Sequence, residues 1–263
     1  MTRLAIIAGR GALPGVLAAA LPVPPLVCAL DGFLPDDLGV DRVFRLERLF
    51  PFLRQLADEG IARVVFAGAV TRPVLDPSLF DPQTAQAVPD LLAALRQGDD
   101  ATLRAVIGLF EAAGLAVVGV ADIAPGLLAP AGQLGALGPG PQDPADAARG
   151  LAILEALAPV DVGQGCVVAG GLCLGVEVIY GTDALLADVR ARRTGRGGVF
   201  VKRAKTGQDL RVDLPTIGPA TVQGAIAAGL SGICLQAGRV VVLDRTAVVA
   251  LADAAGLAVW AVP

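Results

Sequence analysis

Two α/β domains are predicted for this chain of 263 residues, on three observations. Short apolar runs alternate with helical patterns through the first half; a stretch dense in Gly and Pro interrupts the chain near its middle; strand and helix patterns then resume. Strands of about four to six residues separated by helices of about 10–15 form βαβ units, whose parallel sheet is covered on both faces. The N-terminal domain, residues 1–132, is therefore expected to be a Rossmann-like parallel sheet, and the C-terminal domain, 141–263, a mixed α/β unit.

The elements follow in order. A strand at 4–8 precedes a helix at 13–21, then come a strand at 26–30, a helix at 46–59, a strand at 64–68, a helix at 101–113 and a strand at 116–120. Residues 126–144, GLLAPAGQLGALGPGPQDP, lack apolar periodicity and read as a linker, with a boundary near 130–142. Beyond it a helix at 144–158 leads to strands at 165–169 and 173–179, joined by a Gly170-Gly171 turn. A helix at 183–192, a helix from Pro219 to Leu230, strands at 233–236 and 240–243, a helix capped by Asp244 and a strand at 258–262 complete the chain.

Composition narrows the function. Hydrophobic residues make up 54% with only 4% aromatics, which suits buried sheet and Ala-rich helices. The uncharged stretch 11–30 contains Pro14, Pro22, Pro24 and Pro25, so it does not form one spanning helix of about 20 residues. The first ten residues lack a signal-peptide pattern, and a cytoplasmic location is expected. Cys28, Cys166, Cys173 and Cys234 show no Cys-x-x-Cys spacing and are expected to be small reduced core residues. A net charge of −4 argues against a non-specific nucleic-acid binder. The absence of histidine excludes Ser-His-Asp and Cys-His catalysis and any His-ligated metal. Chemistry is left to carboxylates, Lys and Arg, hydroxyls, backbone amides and a hard metal ion.

The only two lysines, Lys202 and Lys205, fall in one charged run, VKRAKTGQDLRVDLPTIG, at 201–218. In a chain that uses arginine elsewhere, they mark positions where a compact ammonium is not interchangeable with a planar guanidinium. If LRVDL is extended, Asp209, Arg211 and Asp213 project to one side. Thr216 and Gly218 then lead to a helix starting at Pro219, whose free amides favour an anion. Two carboxylates, two lysines, an arginine and a helix N-terminus suit phosphoryl transfer with Mg²⁺.

Further candidates lie outside the run. Gly9 and Gly11 follow the first strand, and the turn running on through Ala12, Leu13 and Pro14 is placed to meet a ribose or phosphate; with Pro14 in its sixth position it is an imperfect G-x-G-x-x-G. Ala67 and Gly68 end another strand, and Asp99 and Asp100 open a helix, either as ligand contacts or as its cap. Glu177, in the mostly apolar CLGVEVIY, is expected to orient a basic partner or to lie on an exposed edge. Asp183 reads as a helix cap, following Thr182. Residues 42–56, RVFRLERLFPFLRQL, read as a sheet-covering helix with its lead-in loop, or as a face against an anionic membrane.

Together, IAGRGALP, FAGAVTRP, GDD at 98–100, DVGQG at 161–165, VE followed by GTDALL within 176–186, and VKRAKTGQDLRVDLPTIGPATV at 201–222 closely resemble the LpxI-type UDP-2,3-diacylglucosamine pyrophosphatases. The likeness runs end to end, and its last motif is specific. It implies Mg²⁺-dependent (or Mn²⁺-dependent) cleavage of UDP-2,3-diacylglucosamine to UMP and 2,3-diacylglucosamine 1-phosphate, lipid X, in lipid A synthesis. It also implies a homodimer in peripheral contact with the cytoplasmic face of the inner membrane, with substrate between a Rossmann-like and an α/β domain. Carried across by motif, Asp213 is the essential aspartate, with Lys202 and Arg211 beside it and Asp209 joining it at the metal. Substrate contacts are expected at Gly11, Ala12, Leu13, Pro14, Ala67, Gly68, Asp99, Asp100, Gln164, Glu177, Thr182, Asp183, Lys205, Gln208 and Thr216. The chain departs from the family pattern at Tyr180, where Glu is common. A non-catalytic binder of nucleotide-sugar lipid and a Rossmann-type oxidoreductase are the alternatives, separated by release of UMP and by binding of NAD(P).

Overall fold

A computed structural model describes residues 3–71, 74–95 and 99–263. The chain divides into two compact units, Met1–Pro125 and Gly126–Pro263.

The first unit is a five-stranded parallel sheet. Its strands are β1 (Arg3–Ala8), β2 (Leu26–Leu30), β3 (Arg42–Phe44), β4 (Ile61–Ala67) and β5 (Ala116–Val118), in the order β3-β2-β1-β4-β5. The direction of winding reverses between β1 and β4, the position where open α/β sheets carry their ligand crevice. Around the sheet lie α1 (Leu13–Ala20), α2 (Leu49–Asp58), α3 (Pro82–Leu95), α4 (Asp99–Ala112) and the short α5 (Val120–Ile123).

Residues 42–56 take the sheet-covering arrangement. Arg42–Phe44 forms an edge strand, and α2 buries Leu49, Phe52, Leu53 and Leu56 on one face, with Phe52 stacked on Phe44 at 4.1 Å. Two of the three phenylalanines of this segment thus lie in the core. Helix α3 has no counterpart in the sequence expectation, because Pro89 interrupts its pattern. Its start is fixed by Asp81, whose carboxylate accepts from the Gln83 and Thr84 amides at 3.0 and 3.1 Å, and Pro82 occupies the first helical position, where no donor is required.

The second unit holds a six-stranded mixed sheet, β6 (Gly132–Gln133), β13 (Ala258–Val262), β11 (Gly232–Gln236), β9 (Val199–Lys202), β7 (Gly165–Ala169) and β8 (Leu172–Val176), in that spatial order. Strands β9, β11 and β13 run parallel, while β6, β7 and β8 join antiparallel. A separate parallel pair unites β10 (Thr216–Ile217) with β12 (Val241–Val242), so the strand expected at 240–243 lies outside the main sheet. Helix α6 (Asp143–Leu157) covers one face over Cys166, Val168, Val199 and Val201. The other face, carrying Val167 and Phe200, packs with α7 (Gly181–Arg192), α8 (Pro219–Ala227) and α9 (Arg245–Ala255).

The stretch that reads as a linker is bound into this unit. β6 pairs with β13, the buried Ala129 donates its N–H to Val240 O and accepts from Gly238 N–H, and Leu134 N–H donates to Val259 O. Backbone pairing at a sheet edge requires no apolar periodicity, which is why the sequence does not announce it. Cys28, Cys166 and Cys234 are buried, and burial pushes each thiol up to about 12. Cys173 departs from the core expectation: it is exposed, on the edge strand β8.

The β7–β8 hairpin is pinned from below. Gly170 and Gly171 adopt φ of 57° and 79°, and their amides donate to the buried Asp146 of α6 at 3.0 and 2.8 Å. Burial raises the Asp146 carboxyl, but hydrogen bonds from Gly171, Gln142 and Gly170 outweigh it, and the net shift is downward. Stability from a lowered carboxyl is present above the ordinary aspartate value of about 3.9 and is lost as pH falls through the folded value. Asp146→Ala is expected to cost about 2 kcal/mol near neutral pH. Asp146→Asn should flatten the acid limb of a pH series of thermal unfolding; an unchanged limb would remove the hairpin anchor from the account of acid sensitivity.

Candidate active site

Strand β9 carries its charge at its end. Val199, Phe200 and Val201 are fully buried, and Lys202 closes the strand at 4% exposure. Its ammonium donates to Glu177 at 2.8 Å (Oε2) and 3.1 Å (Oε1), and to Thr182 Oγ1 at 2.5 Å. Glu177 leaves the end of β8 and Thr182 lies in the first turn of α7, so one ion pair joins two strands and a helix. Gly165, opposite Lys202 on β7, makes room for it, because a Cβ there would fall 2.5 Å from Glu177 Oε2.

The chain then turns back on itself. Val212 and Asp213 N–H donate to Asp209 O at 3.3 and 3.4 Å, so LRVDL forms a turn and not the extended segment expected. The local fork between Asp209 and Arg211 accounts for the difference: Arg211 Nε meets Asp209 Oδ1 at 3.0 Å, Nη2 meets Oδ2 at 2.7 Å, and the Arg211 amide donates to Oδ1 at 3.0 Å. Asp213 is oriented from outside the turn. Gln164 Nε2 donates to its Oδ2 at 3.3 Å, and Gln208 Nε2 donates to the same oxygen. Gln208 Oε1 in turn accepts from Gln164 Nε2 at 3.1 Å and from the Lys205 amide at 3.0 Å. Lys205 Nζ pairs with Asp161 Oδ1 at 2.5 Å.

The structure therefore gathers Gln164, Glu177, Thr182, Lys202, Lys205, Gln208, Asp209, Arg211 and Asp213 into two adjoining networks of the second unit. Arg203, next to Lys202, links them by donating its N–H to Gln164 O at 2.9 Å. Thr216 opens β10 and donates its hydroxyl to Leu214 O at 3.1 Å. Asp183 is exposed in the first turn of α7; the residue at the capping position is Tyr180. Asp161 is the member that sequence reasoning misses: it sits at φ 56°, a conformation aspartate tolerates better than most residues, and its place at the head of DVGQG is the available signal. Among the described residues, no group of three or more acidic or thiol side chains is placed to hold a metal. Asp209 gives both oxygens to Arg211.

In the first unit, the turns after β1 and β4 interlock. Gly9 N–H donates to Ala67 O at 2.7 Å, and Arg10 and Ala69 exchange two backbone bonds at 2.9 Å. A Cβ on Gly9 would fall 2.6 Å from Ala69 O, and one on Gly68, at φ 93°, 2.6 Å from Gly9 O. These glycines serve the contact between two loops. Gly11 donates its N–H to Asp36 Oδ1 at 3.4 Å, Ala12 precedes α1, and Leu13 and the buried Pro14 begin it. Asp99 and Asp100 are the first residues of α4; their side chains, and Gly98 before them, lie outside the described residues.

Comparison with known proteins adds a second line of observation. The LpxI N-terminal domain profile matches residues 3–127 and the LpxI C-terminal domain profile residues 130–260. The chain is also similar to UDP-2,3-diacylglucosamine pyrophosphatase LpxI of Caulobacter vibrioides (strain ATCC 19089 / CIP 103742 / CB 15), at 40% identity over 277 aligned positions covering 100% of this chain and 98% of that protein.

Removing one member of a buried pair leaves the other charge uncompensated. Glu177→Ala is expected to destabilise the protein by about 3–5 kcal/mol, whereas the double change Glu177→Leu with Lys202→Met should be much milder. Chemical denaturation reads both; a single change as mild as the double would show that Lys202 does not depend on Glu177.

Proposed function

The chain belongs to the LpxI family, and we propose that it hydrolyses the diphosphate of UDP-2,3-diacylglucosamine, a step of lipid A biosynthesis that yields UMP and 2,3-diacylglucosamine 1-phosphate. The observation that carries this reading is Asp213, one carboxylate oxygen of which is fixed by two side-chain amides, in a segment that also carries Lys205, paired with Asp161, and Arg211, paired with Asp209. Phosphoryl transfer requires little covalent help from protein and much positioning and charge balance.

In this mechanism a water oxygen bonds to the β-phosphorus, the bond from that phosphorus to the bridging oxygen breaks, and the bridging oxygen leaves on UMP. Asp213 either takes the water proton or holds the cation. A hard oxygen donor suits Mg²⁺ or Mn²⁺, and one carboxylate together with substrate oxygens and water meets the usual needs of Mg²⁺. When bound, such an ion neutralises phosphate charge. Asp209 holds the Arg211 guanidinium by its fork, Lys205 is held by Asp161, and Lys202 ties Glu177 to Thr182. No helix among the described residues is long and apolar enough to cross a membrane. Peripheral contact with the inner membrane, a cytoplasmic location and a homodimer belong to the same proposal.

Asp213→Ala should abolish release of UMP while leaving the thermal unfolding profile intact. Activity within a few-fold of the unmodified enzyme would reject the assignment, and binding of the substrate without any UMP from the unmodified protein would identify a non-catalytic binder. Exhaustive chelation should also stop turnover, with Mg²⁺ or Mn²⁺ restoring it; full activity after chelation would leave lysine and arginine to stabilise the transition state alone.

A further inference from the structure

The strip of chain that secures Lys202 also borders an apolar groove. Between the edge strand β8 and helix α7 lies a cavity of about 330 Å³, lined by Leu174, Gly175, Val178, Tyr180, Ala184 and Leu185 among others. The sequence builds it at Gly175, where a Cβ would fall 2.7 Å from Leu185 Cδ1, so α7 lies close against β8. The floor comes from core residues, Leu185 and Val189, while Val178 and Tyr180 stand 52% and 79% exposed. Leu172 and Ile179, in the same stretch of chain, are also exposed. Among the described residues, Asp188 is the single charged member of the lining, and it is paired with Arg192 at 3.2 Å.

We propose that this groove takes an acyl chain of the substrate, a proposal that rests on the hydrolase reading above. Position carries it: Glu177 and Thr182 hold the Lys202 ammonium, and Val178, Tyr180 and Gly181, between them in sequence, line the groove. A charged cluster and an apolar trough therefore meet within one short segment, as a molecule carrying phosphate and hydrocarbon on a single sugar requires. Among the described residues the lining has no basic side chain to attract a phosphate or nucleotide, and its volume falls within the range of small-molecule sites. Tyr180 presents a ring and a hydroxyl at the rim, where apolar and wet surfaces meet.

The test uses Ala184→Trp, which fills the groove from an exposed helix position, and Val178→Asp, which charges its wall. Turnover is measured on UDP-glucosamine bearing two myristoyl or two butanoyl chains, with circular dichroism confirming the fold. Each variant should lose about tenfold or more in kcat/KM on the myristoyl substrate and change less than about twofold on the butanoyl one. An equal loss on both substrates, or none on either, overturns the proposal. So does a change of sedimentation coefficient in Val178→Asp with the chain-length preference intact, which would assign the face to a second copy of the chain. If the unmodified enzyme releases no UMP, the hydrolase reading fails separately. Calorimetry with dimyristoylglucosamine 1-phosphate still reads the groove: binding weakened about tenfold or more by Ala184→Trp sustains it, and no binding, or binding that the substitution leaves unchanged, overturns it.

Discussion

A buried ammonium governs the second unit. Lys202 is nearly inaccessible, and an unpaired charge in that position costs several kcal/mol, so the surrounding chain is obliged to bring oxygens to it. Glu177 and Thr182 do so from the end of β8 and the start of α7, and Gly165 gives them space. The antiparallel β7 and β8, the helix α7 and the parallel strand β9 thereby meet at one point. The turn that follows Lys202 inherits that fixed origin. Arg203 ties to Gln164, Gln164 to Gln208 and Asp213, and the Asp213 carboxylate is oriented through a chain of contacts that begins at a core strand.

The ion pair that follows in sequence differs from this one. Asp209 and Arg211 are two residues apart and partly exposed, so their fork arises from local geometry and is screened by solvent. Its structural effect is to bend the backbone into a turn, which carries Asp213 toward the glutamines. The Lys202 pair, by contrast, joins elements far apart in the chain, away from solvent.

Legibility in the sequence followed the physical origin of each feature. Strands β1, β2, β4 and β7 were readable because short, continuous apolar runs bounded by turn residues fit a covered sheet and little else. The short edge strand β3 and the Pro-containing α3 were not, since one is three residues long and the other contradicts its own propensity until Asp81 caps it. The concentration of both lysines in one run pointed to the segment whose side chains enter the two networks. The internal pairing of Lys202 with Glu177 was half visible, because a carboxylate in an apolar strand demands a partner but does not name it. Alternation put Asp209, Arg211 and Asp213 on an extended face; a side chain bonding back to its own backbone and neighbour selected a turn, an effect that periodicity does not carry. The Gly/Pro stretch failed as a linker for a related reason: its order comes from backbone bonds to β13.

The crossing of the β1 and β4 loops bears on how the first unit can change over evolutionary time. Each glycine there abuts the main chain of the opposite loop, so trimming a neighbouring side chain gives no compensation for a substitution at either place. The two loops are heritable as a pair, and their paths are closed to gradual drift. Variation there is left to the side chains that the paired loops carry, such as Arg10 above the Phe33 ring and the exposed Val70, while the backbone beneath them stays constant.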